Sequence, residues 1–535
     1  MHPTSRRDAL ITLAALAAWP AFAGGNARAA SGADDLCANG TVFDAPLPRS
    51  GRDGWMGYFD TDAPFVLRAG SVDAAPFPLA YTVARDGRRW QNPILVARAG
   101  STLRATLANA LDAATIVHWH GLTIDSLNDG NGDRVATPGA RFDYAFPVRN
   151  RAGMYWYHPH PHGITGGQLH RGLFGVLLVD DDEDRALGTA LATTRGDTDL
   201  VLVLGDRRAS SRSSYAPSAV DRQAGYLGDE MLVNGVAHAW RGVATRGYRL
   251  RILNAANART FRLALRGDDG TLIPFALLGT DGGLLARPMT CREVFVASAE
   301  RVDLWVDFST RALGDSVVLE SLAFDPMHGE SQASDAATAD THGGHDHGSM
   351  NVTGDAMPST INDGARLSLL QFRIRERVAA SPPPPSTLSS LAAPRAGGDD
   401  AVPFRLSFAK SRWRINDRVF DMQQEPLIVP RNTRQTWLLR NYYTSMPHAM
   451  HLHGFALRVL AREQSPDFIT ALAIDDQGRL ATDAGVKDTV LVWPGESVRV
   501  AIDFTCTFAG PQDYLLHCHN AEHEDGGMML RVRVA

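Results

Sequence analysis

The chain has 535 residues and a formal net charge of −6, with 44% hydrophobic and 21% charged residues. Because one hydrophobic core rarely serves so many residues, this length predicts about three domains, and the slightly acidic balance excludes the basic surface typical of nucleic-acid-binding proteins. The many glycines (49) and prolines (29) favour turns and short strands over long helices.

The first residues have the composition of an export signal. Arg6 and Arg7 precede a weakly apolar run over 9–23, which is too short to predict a membrane span. Paired arginines before such a run resemble a twin-arginine signal, and an ordinary secretory signal is the alternative. We therefore expect residues 1–29 to be a signal peptide and the mature protein to be periplasmic or secreted, without a membrane span.

Two strand patterns each occur three times along the chain. The first alternates apolar and polar residues and ends on asparagine, and the second follows it and ends near an aromatic residue. The first pattern covers 103–109, 248–254 and 436–441, and the second covers 138–146, 299–308 and 494–504. Three copies of one all-β unit, built as a Greek-key barrel or sandwich, account for this repetition.

The repeats divide the chain into three predicted domains, at residues 33–185, 197–330 and 363–535. Residues 331–362, between the second and third domains, are predicted to form a flexible loop that contains histidines. Residues 379–399 include four consecutive prolines among Ala, Ser and Gly, which predicts a proline-rich loop or linker within the third domain.

Eight of the 18 histidines form four pairs in which one residue separates the two imidazoles. Residues i and i+2 of a strand share a face, so each pair presents two imidazoles to neighbouring metal ions. One such pair is common on surfaces, but two pairs in the first repeat and two in the third predict a joint centre for three ions. The middle repeat has no histidine at the matching place, which predicts a spacer domain. The pairs are His118/His120, His158/His160, His451/His453 and His517/His519.

Cys518 separates the two histidines of the last pair. Imidazole alone suits copper, zinc, iron or nickel, whereas two imidazoles, a thiolate and a weak axial thioether are typical of a blue-copper electron-transfer site. In an extended segment the sulfur points away from the flanking imidazoles, so the tripeptide would connect the two sites covalently. The predicted blue-copper ligands are His448, Cys518, His523 and Met528.

The other cysteines are Cys37, Cys291 and Cys506, and three cannot all pair. Cys518 is left out of this count because it is assigned to metal. A disulfide between Cys37 and Cys506 is one prediction for an oxidising compartment, and the sequence leaves it open.

Four segments of the chain resemble the copper motifs of the multicopper oxidases. They are His118-Trp119-His120-Gly121, Trp156-Tyr157-His158-Pro159-His160, the stretch from His448 to Gly454 and the stretch from His517 to Met528. The similarity spans nearly the whole mature chain, and the sequences at 158–163 and 522–525 are typical of the three-domain bacterial branch of laccase-like enzymes and periplasmic cuprous oxidases. The resemblance implies three cupredoxin-like domains and an oxidoreductase that passes electrons from a reducing substrate to dioxygen. It also implies four copper ions, one of type 1, one of type 2 and two of type 3.

The ligand roles of the family carry over to each matching position of this sequence. Ala449 departs from the usual proline after the first type 1 histidine, but alanine preserves the spacing. The resemblance assigns His118 and His451 to the type 2 copper; His120, His158 and His519 to one type 3 copper; His160, His453 and His517 to the other; and His448, Cys518, His523 and Met528 to the type 1 copper.

Reduction of dioxygen to water consumes protons, which a carboxylate near the three-copper centre would relay. Asp129 stands where the family places such an acid after its first motif, and Glu524 follows the predicted ligand His523. The alternatives for these two residues are a turn aspartate and a solvated glutamate.

The sequence leaves two classes of electron donor open. A laccase oxidises phenols or aromatic amines, and a metallo-oxidase oxidises Cu(I), which soft thioethers bind. Met446 matches a substrate-copper position of the cuprous oxidases, but Thr444 stands where they have an acid. Segment 327–350 takes the place of their methionine-rich region and holds four histidines and two methionines. It is either a metal-binding tract or a linker with incidental histidines.

A third class of function is a scaffold or copper-binding protein of the same fold that has lost its catalytic coppers. All twelve ligand positions are filled here, and a copper store needs no His-Cys-His connection, so we expect an enzyme. Its expected partners are dioxygen and a small donor, with no nucleic acid, and the expected oligomeric state is a monomer.

Overall fold

The computed structural model describes residues 41–51, 53–73, 76–209, 214–329, 359, 361–390, 392, 395, 397 and 400–535. The predicted signal peptide at 1–29, Cys37, and the histidine-containing segment beyond Gly329 lie outside this part of the chain. The export signal and the Cys37–Cys506 disulfide therefore stay predictions.

Within the described residues, six β-sheets form three units of two sheets each, which confirms the all-β fold class. The strands up to residue 180 are β1 (Ala45–Pro46), β2 (Gly54–Trp55), β3 (Tyr58–Asp60), β4 (Phe65–Ser71), β5 (Leu79–Arg85), β6 (Arg88–Gln91), β7 (Ile94–Arg98), β8 (Thr102–Asn109), β9 (Val117–His120), β10 (Arg141–Pro147), β11 (Gly153–Pro159) and β12 (Gly175–Asp180). The first unit consists of a six-stranded sheet of order β10-β8-β4-β5-β6-β2 and a five-stranded sheet of order β3-β7-β12-β11-β9.

The middle unit contains the next twelve strands together with β1. They are β13 (Asp199–Arg207), β14 (Glu230–Val233), β15 (Val236–Ala237), β16 (Ala239–Ala244), β17 (Gly247–Asn254), β18 (Phe261–Gly267), β19 (Phe275–Thr280), β20 (Gly283–Cys291), β21 (Glu293–Val296), β22 (Arg301–Asp307), β23 (Ser316–Ser321) and β24 (Leu367–Glu376). Its sheets have the orders β1-β16-β24-β23-β18-β21 and β15-β14-β13-β17-β22-β19-β20.

The third unit contains ten strands in two five-stranded sheets. The strands are β25 (Val402–Ala409), β26 (Arg412–Ile415), β27 (Leu427–Val429), β28 (Arg434–Asn441), β29 (His448–Leu452), β30 (Leu457–Glu463), β31 (Thr489–Val492), β32 (Ser497–Asp503), β33 (Gln512–Cys518) and β34 (Met529–Val534). The sheet orders are β26-β25-β28-β32-β30 and β27-β34-β33-β29-β31.

The helices of the described residues are short and lie in the connections between strands. None of them is long and apolar enough to cross a membrane. The α-helices are Thr165–His170, Asp182–Ala190, Ala219–Ala224, Asp467–Thr470 and Ala521–Asp525, and a 3-10 helix covers Ala481–Ala484.

The predicted boundary at residue 363 is wrong by about one strand. Strand β24 pairs in parallel with β16 and antiparallel with β23, so it belongs to the middle unit and not to the third. The middle unit thus contains strands from both sides of residues 331–362, with β23 before them and β24 after them. Hydrogen bonding across this distance is a tertiary property that the strand pattern does not reveal.

The two recurring strand patterns pair with each other in every unit. Strands β8 and β10, β17 and β22, and β28 and β32 are antiparallel neighbours. The asparagine that ends the first pattern forms equivalent hydrogen bonds in all three units. The side-chain amides of Asn109, Asn254 and Asn441 each donate to two backbone carbonyls at 2.8–3.1 Å, one that is 4 or 5 residues away in the chain and one that is 27 to 51 residues away. These amides fix the loop that follows the strand, and in the first and third units that loop leads to the histidines.

Candidate metal centre

The four histidine pairs meet where the first and third units contact each other. Strand β9 pairs with β11 so that His118 lies opposite His158, and β29 pairs with β33 so that His451 lies opposite His517. All eight imidazoles of the pairs are at most 1% exposed. The structure therefore brings the eight predicted ligands of the three-copper centre into one buried cluster, called the histidine cluster below.

The shortest contacts between ring nitrogens divide the histidine cluster into groups of two, three and three imidazoles. These are the groups that the resemblance assigns to the type 2 copper and the two type 3 coppers, and the nitrogens of His160, His453 and His517 all lie close enough to one another to hold one ion. His118 Nε2 lies 3.4 Å from His451 Nε2; His158 Nε2 lies 3.4 Å from both His120 Nδ1 and His519 Nε2; His517 Nε2 lies 3.4 Å from His160 Nε2 and 3.1 Å from His453 Nε2.

Hydrogen bonds at the rim of the histidine cluster hold the second nitrogen of several rings. Such a bond sets the tautomer and turns the lone pair of the other nitrogen inward, where a metal ion would bind. Backbone carbonyls and two aspartates are the acceptors. The pairs are His118 Nδ1 with Asp129 O (2.7 Å), His451 Nδ1 with Asp488 O (2.8 Å), His453 Nδ1 with Asp129 Oδ2 (2.7 Å) and His120 Nε2 with Asp488 Oδ1 (3.0 Å).

The electrostatics of the cluster favour neutral imidazoles. Burial, together with the neighbouring histidines, lowers the pKa of all eight rings. The pKa is about 3 for His158 and His160 and about 4 for His451. Neutral imidazole is the form that ligates metal ions, so the donor set fits copper without further deprotonation.

Cys518 lies at the end of strand β33 with two histidines around its sulfur. The Sγ atom is 3.5 Å from His448 Nδ1 and 3.6 Å from His523 Nδ1. Burial raises the pKa of the thiol to about 12, so a bound cation is needed to hold the thiolate there. Met528 is fully buried, and its carbonyl accepts a hydrogen bond of 3.1 Å from the Cys518 N–H, which closes the loop between them. These residues are the set of two histidines, a cysteine and a methionine predicted for type 1 copper.

Both predicted relay acids are fully buried against the histidine cluster. Glu524 Oε1 lies 3.4 Å from His160 Nε2 and its Oε2 lies 3.4 Å from His517 Nδ1, whereas Asp129 contacts only outer nitrogens. Burial raises the pKa of both carboxyls well above the usual range, which favours the protonated acid. Glu524 thus faces the interior of the cluster, and Asp129 lies at its edge.

An arginine of the middle unit reaches the histidine cluster, which sequence reasoning missed. Arg301 donates to both carboxylate oxygens of Asp488 at 2.7 and 2.6 Å, and to Met154 O at 2.9 Å. Both side chains of this ion pair are almost completely buried, and Asp488 in turn holds the rings of His120 and His451. The predicted spacer unit therefore supplies no imidazole but anchors the residues that orient two of them.

A second buried charge group lies beside this arginine. Lys487 Nζ is 3.2 Å from Asp281 Oδ2 and 3.0 Å from Glu300 Oε1, both of which belong to the middle unit. The two acids raise the pKa of Lys487 above its usual range despite burial. The only sequence signal for this contact between units is a Lys-Asp dipeptide just before an apolar strand. The same dipeptide is equally compatible with a surface turn.

The residues considered for Cu(I) binding differ in their exposure to solvent. Met446 is 4% exposed and packs in the apolar core of the third unit, and Thr444 is exposed. His328 Nε2 lies 3.8 Å from Asp363 Oδ2, and Gly329 N donates to Ser445 O at 2.8 Å. The start of segment 327–350 therefore lies near the type 1 group, and the remainder of that segment lies outside the described residues.

Comparisons with known proteins show the family of the chain. Residues 81–184 and 396–535 match two sequence profiles described as multicopper oxidase, and the matched stretches contain all four histidine pairs. The chain belongs to the multicopper oxidase family. As a member of that family, it is an oxidoreductase that uses dioxygen, and its cofactors are four copper ions.

Relatives of the oxidase match most of its length. The multicopper oxidase mco of Staphylococcus aureus is 26% identical over 445 residues, covering 83% of this chain and 81% of the relative. The laccase of Bacillus subtilis is 26% identical, covering 78% and 79%. The McoA multicopper oxidase of Aquifex aeolicus superposes with a TM-score of 0.76 at 29% identity, covering 92% of this chain and 99% of that one. The oxidase is thus similar to three-domain bacterial members of the family.

Proposed function

We propose that the oxidase couples one-electron oxidation of a small aromatic donor at the type 1 site to four-electron reduction of dioxygen to water at the histidine cluster. The observation that carries this proposal is the tripeptide His517-Cys518-His519. The sulfur of Cys518 lies in the type 1 group, while the flanking imidazoles belong to the two different groups assigned to type 3 copper. An electron that leaves the type 1 site therefore has a short covalent path to either group.

The protein residues position the copper ligands and supply protons for this reaction. Copper supplies the one-electron redox chemistry when bound. Buried hydrogen bonds hold the imidazoles in place before metal binds, so little reorganisation is needed. The raised pKa of Glu524 keeps a proton on a carboxyl that faces the interior of the cluster. Glu524 is therefore our candidate for the proton donor to dioxygen, and Asp129 for the acid that orients His453.

Purified protein loaded with copper is expected to show the intense blue absorption of type 1 copper and to consume oxygen when a phenol is added. The reason is the buried set of one thiolate and two imidazoles beside the histidine cluster. Absorption spectra, copper stoichiometry and an oxygen electrode test this expectation. Colourless protein without oxygen uptake after full loading would refute the proposed function.

Substitution of Glu524 with glutamine is expected to slow oxygen reduction by about 10²–10⁴-fold, the usual contribution of a positioned general acid. Glutamine keeps the shape of the side chain but cannot release a proton. Anaerobic reduction of the blue band by the donor should stay unchanged, because it involves no oxygen. Stopped-flow absorption separates these two half-reactions. Glu524→Asp is the matched variant that keeps an acid, and equal impairment of Asp and Gln would contradict the proton-donor role.

Cu(I) is the second candidate donor, and His328 beside Asp363 near the type 1 group favours it. The burial of Met446 in the apolar core weakens this candidate, since a thioether that binds incoming copper must be reachable. The specificity constants for Cu(I) and for a phenol should be compared in the full chain and in a chain lacking 330–350. If Cu(I) oxidation is unaffected by the deletion, the segment does not deliver copper.

Export through the twin-arginine route is part of the proposal. It is supported by the sequence before residue 29 and by the need to load several buried metal ions into a folded protein. Replacing both Arg6 and Arg7 with lysine is expected to keep the protein in the cytoplasm, as cell fractionation would measure.

A further inference from the structure

Solvent does not reach the outward nitrogens of the two type 1 histidines. His448 Nε2 lies 3.1 Å from Ser445 Oγ, and His523 Nε2 donates to the backbone carbonyl of Gln223 at 2.8 Å. Both imidazoles and Ser445 are completely buried. A donor in solution therefore cannot contact either ring directly, and another group must connect it to the type 1 site.

Trp413 lies between these two histidines and the surface. Its ring centroid is 4.6 Å from that of His448 and 4.8 Å from that of His523. Its Nε1 donates at 2.7 Å to the same Gln223 carbonyl that His523 uses, which fixes the indole against both rings. The outer edge of Trp413 lines a surface cleft. Trp413 thus contacts both the type 1 ligands and a space that a donor can occupy.

This cleft has a volume of about 450 Å³ and opens where the three units meet. Its size suits one substituted aromatic ring with some water, at the lower end of the range for small-molecule sites. Aromatic and cationic side chains line the cleft, and glycines expose backbone at its wall. The residues that matter here are Gly163 and Gly167 of the first unit, Tyr215 and Arg222 of the middle unit, and Arg412 and Trp413 of the third.

The charges at this cleft favour an anionic ligand. The guanidinium groups of Arg222 and Arg412 are exposed, and neither forms an ion pair or a side-chain hydrogen bond with a described residue. The two carboxylates that also line the cleft, Glu522 and Asp525, each accept hydrogen bonds from the protein. The cations are therefore free to bind a ligand, while the acids are already engaged.

We infer that this cleft binds phenols carrying a carboxylate or sulfonate, and that their electron passes through Trp413 to the type 1 site. The inference rests on the proposed oxidase function. In each oxidation the phenolic O–H bond breaks, the proton passes to water in the open cleft, and one electron reduces Cu(II) of the type 1 site to Cu(I). Four such oxidations supply the electrons for one dioxygen, which takes four protons to form two waters.

The first test measures binding without turnover. Trimethoxybenzoate and its neutral amide cannot lose a phenolic proton, and calorimetry on the copper-loaded enzyme gives their dissociation constants. We expect the carboxylate to bind about tenfold more tightly than the amide, and the double variant Arg222→Gln with Arg412→Gln to lose that preference. The matched control is Arg104→Gln with Arg418→Gln, which removes two exposed arginines outside the cleft. Equal binding of the two probes, or a preference that survives the cleft variant, overturns the anionic-phenol site.

The second test measures electron transfer from the donor to the type 1 site. Under anaerobic conditions syringate should bleach the blue band, trimethoxybenzoate should inhibit this competitively, and Trp413→Leu should slow it several-fold at saturating syringate. Trp413→Phe is the second variant if the leucine protein does not fold. Bleaching that trimethoxybenzoate does not inhibit, or that proceeds at the wild-type rate in both Trp413 variants, overturns the route.

The two proposals fail in different ways. If copper-loaded wild type consumes oxygen with neutral phenols but shows no preference for the carboxylate, only the cleft inference is wrong. If it consumes no oxygen with any donor, the proposed function is wrong, and calorimetry still decides whether the cleft binds aromatic anions.

Discussion

Replacing Cys518 with serine is expected to abolish both the blue absorption and the turnover of the copper-loaded enzyme. A hydroxyl is a poor replacement for the soft thiolate that defines blue copper, and the Sγ atom is the point where His448 and His523 converge. The same change also removes the first atom of the covalent path to the histidine cluster. The variant should therefore lose one of the four coppers of the family and all oxygen uptake with a phenol.

The measurements are visible absorption, copper per chain and oxygen consumption. Cys291→Ser is the matched control, because Cys291 is a half-buried thiol of the middle unit that lies outside the candidate metal groups. We expect Cys291→Ser to keep the blue colour and the wild-type rate. A blue, active Cys518→Ser protein would contradict the type 1 assignment.

The second large effect concerns the buried pair of Arg301 and Asp488. Arg301→Met leaves the Asp488 carboxylate buried without its partner, and breaking such a pair costs about 3–5 kcal/mol of folding free energy. Asp488 also holds His120 and His451, so copper affinity at the histidine cluster should fall by about 10–100-fold, as expected when a residue that orients metal ligands is disturbed. Arg301→Lys should not restore either property, since an ammonium cannot reproduce the forked contacts of the guanidinium.

Urea unfolding of the copper-free protein measures the first effect, and copper titration against a competing chelator measures the second. Arg434→Met is the matched control, because the Arg434–Asp503 pair has a similar separation of 2.9 Å but is about half exposed. Exposed pairs contribute about 0–1 kcal/mol. If Arg301→Met and Arg434→Met have equal stability and copper affinity, the middle unit does not anchor the cluster.

Local chemistry made much of the fold and the site predictable. The period-two alternation of apolar residues predicted strands such as β8, whose buried and exposed positions alternate in the structure. The repeated patterns predicted three similar units, and each unit pairs the same two strands. Imidazole pairs in strands and a cysteine between two of them indicate metal chemistry by residue type and spacing alone, which is why candidate ligands could be predicted from the sequence.

Other features depend on contacts between residues far apart in the chain. Strand β24 was assigned to the wrong unit because its partners lie before the histidine-containing segment. Trp413 was overlooked because an aromatic residue in a short strand is ordinary, and only its packing against His448 and His523 makes it special. The acids were named from their position after known motifs, yet only their orientation separates Glu524, which faces the interior, from Asp129.

The sequence by itself predicted the fold class and the candidate copper ligands, because strand periodicity and ligand chemistry are properties of neighbouring residues, and the resemblance of four segments indicated the family. Only the tertiary structure decided how the four histidine pairs meet in one buried cluster, how Arg301 of the middle unit supports them, and where the type 1 site is closed to solvent. Arg301 and Asp488 are 187 residues apart, and buried charges of this kind are stable only when packing brings both partners together. No local sequence pattern indicates how the three units pack against one another.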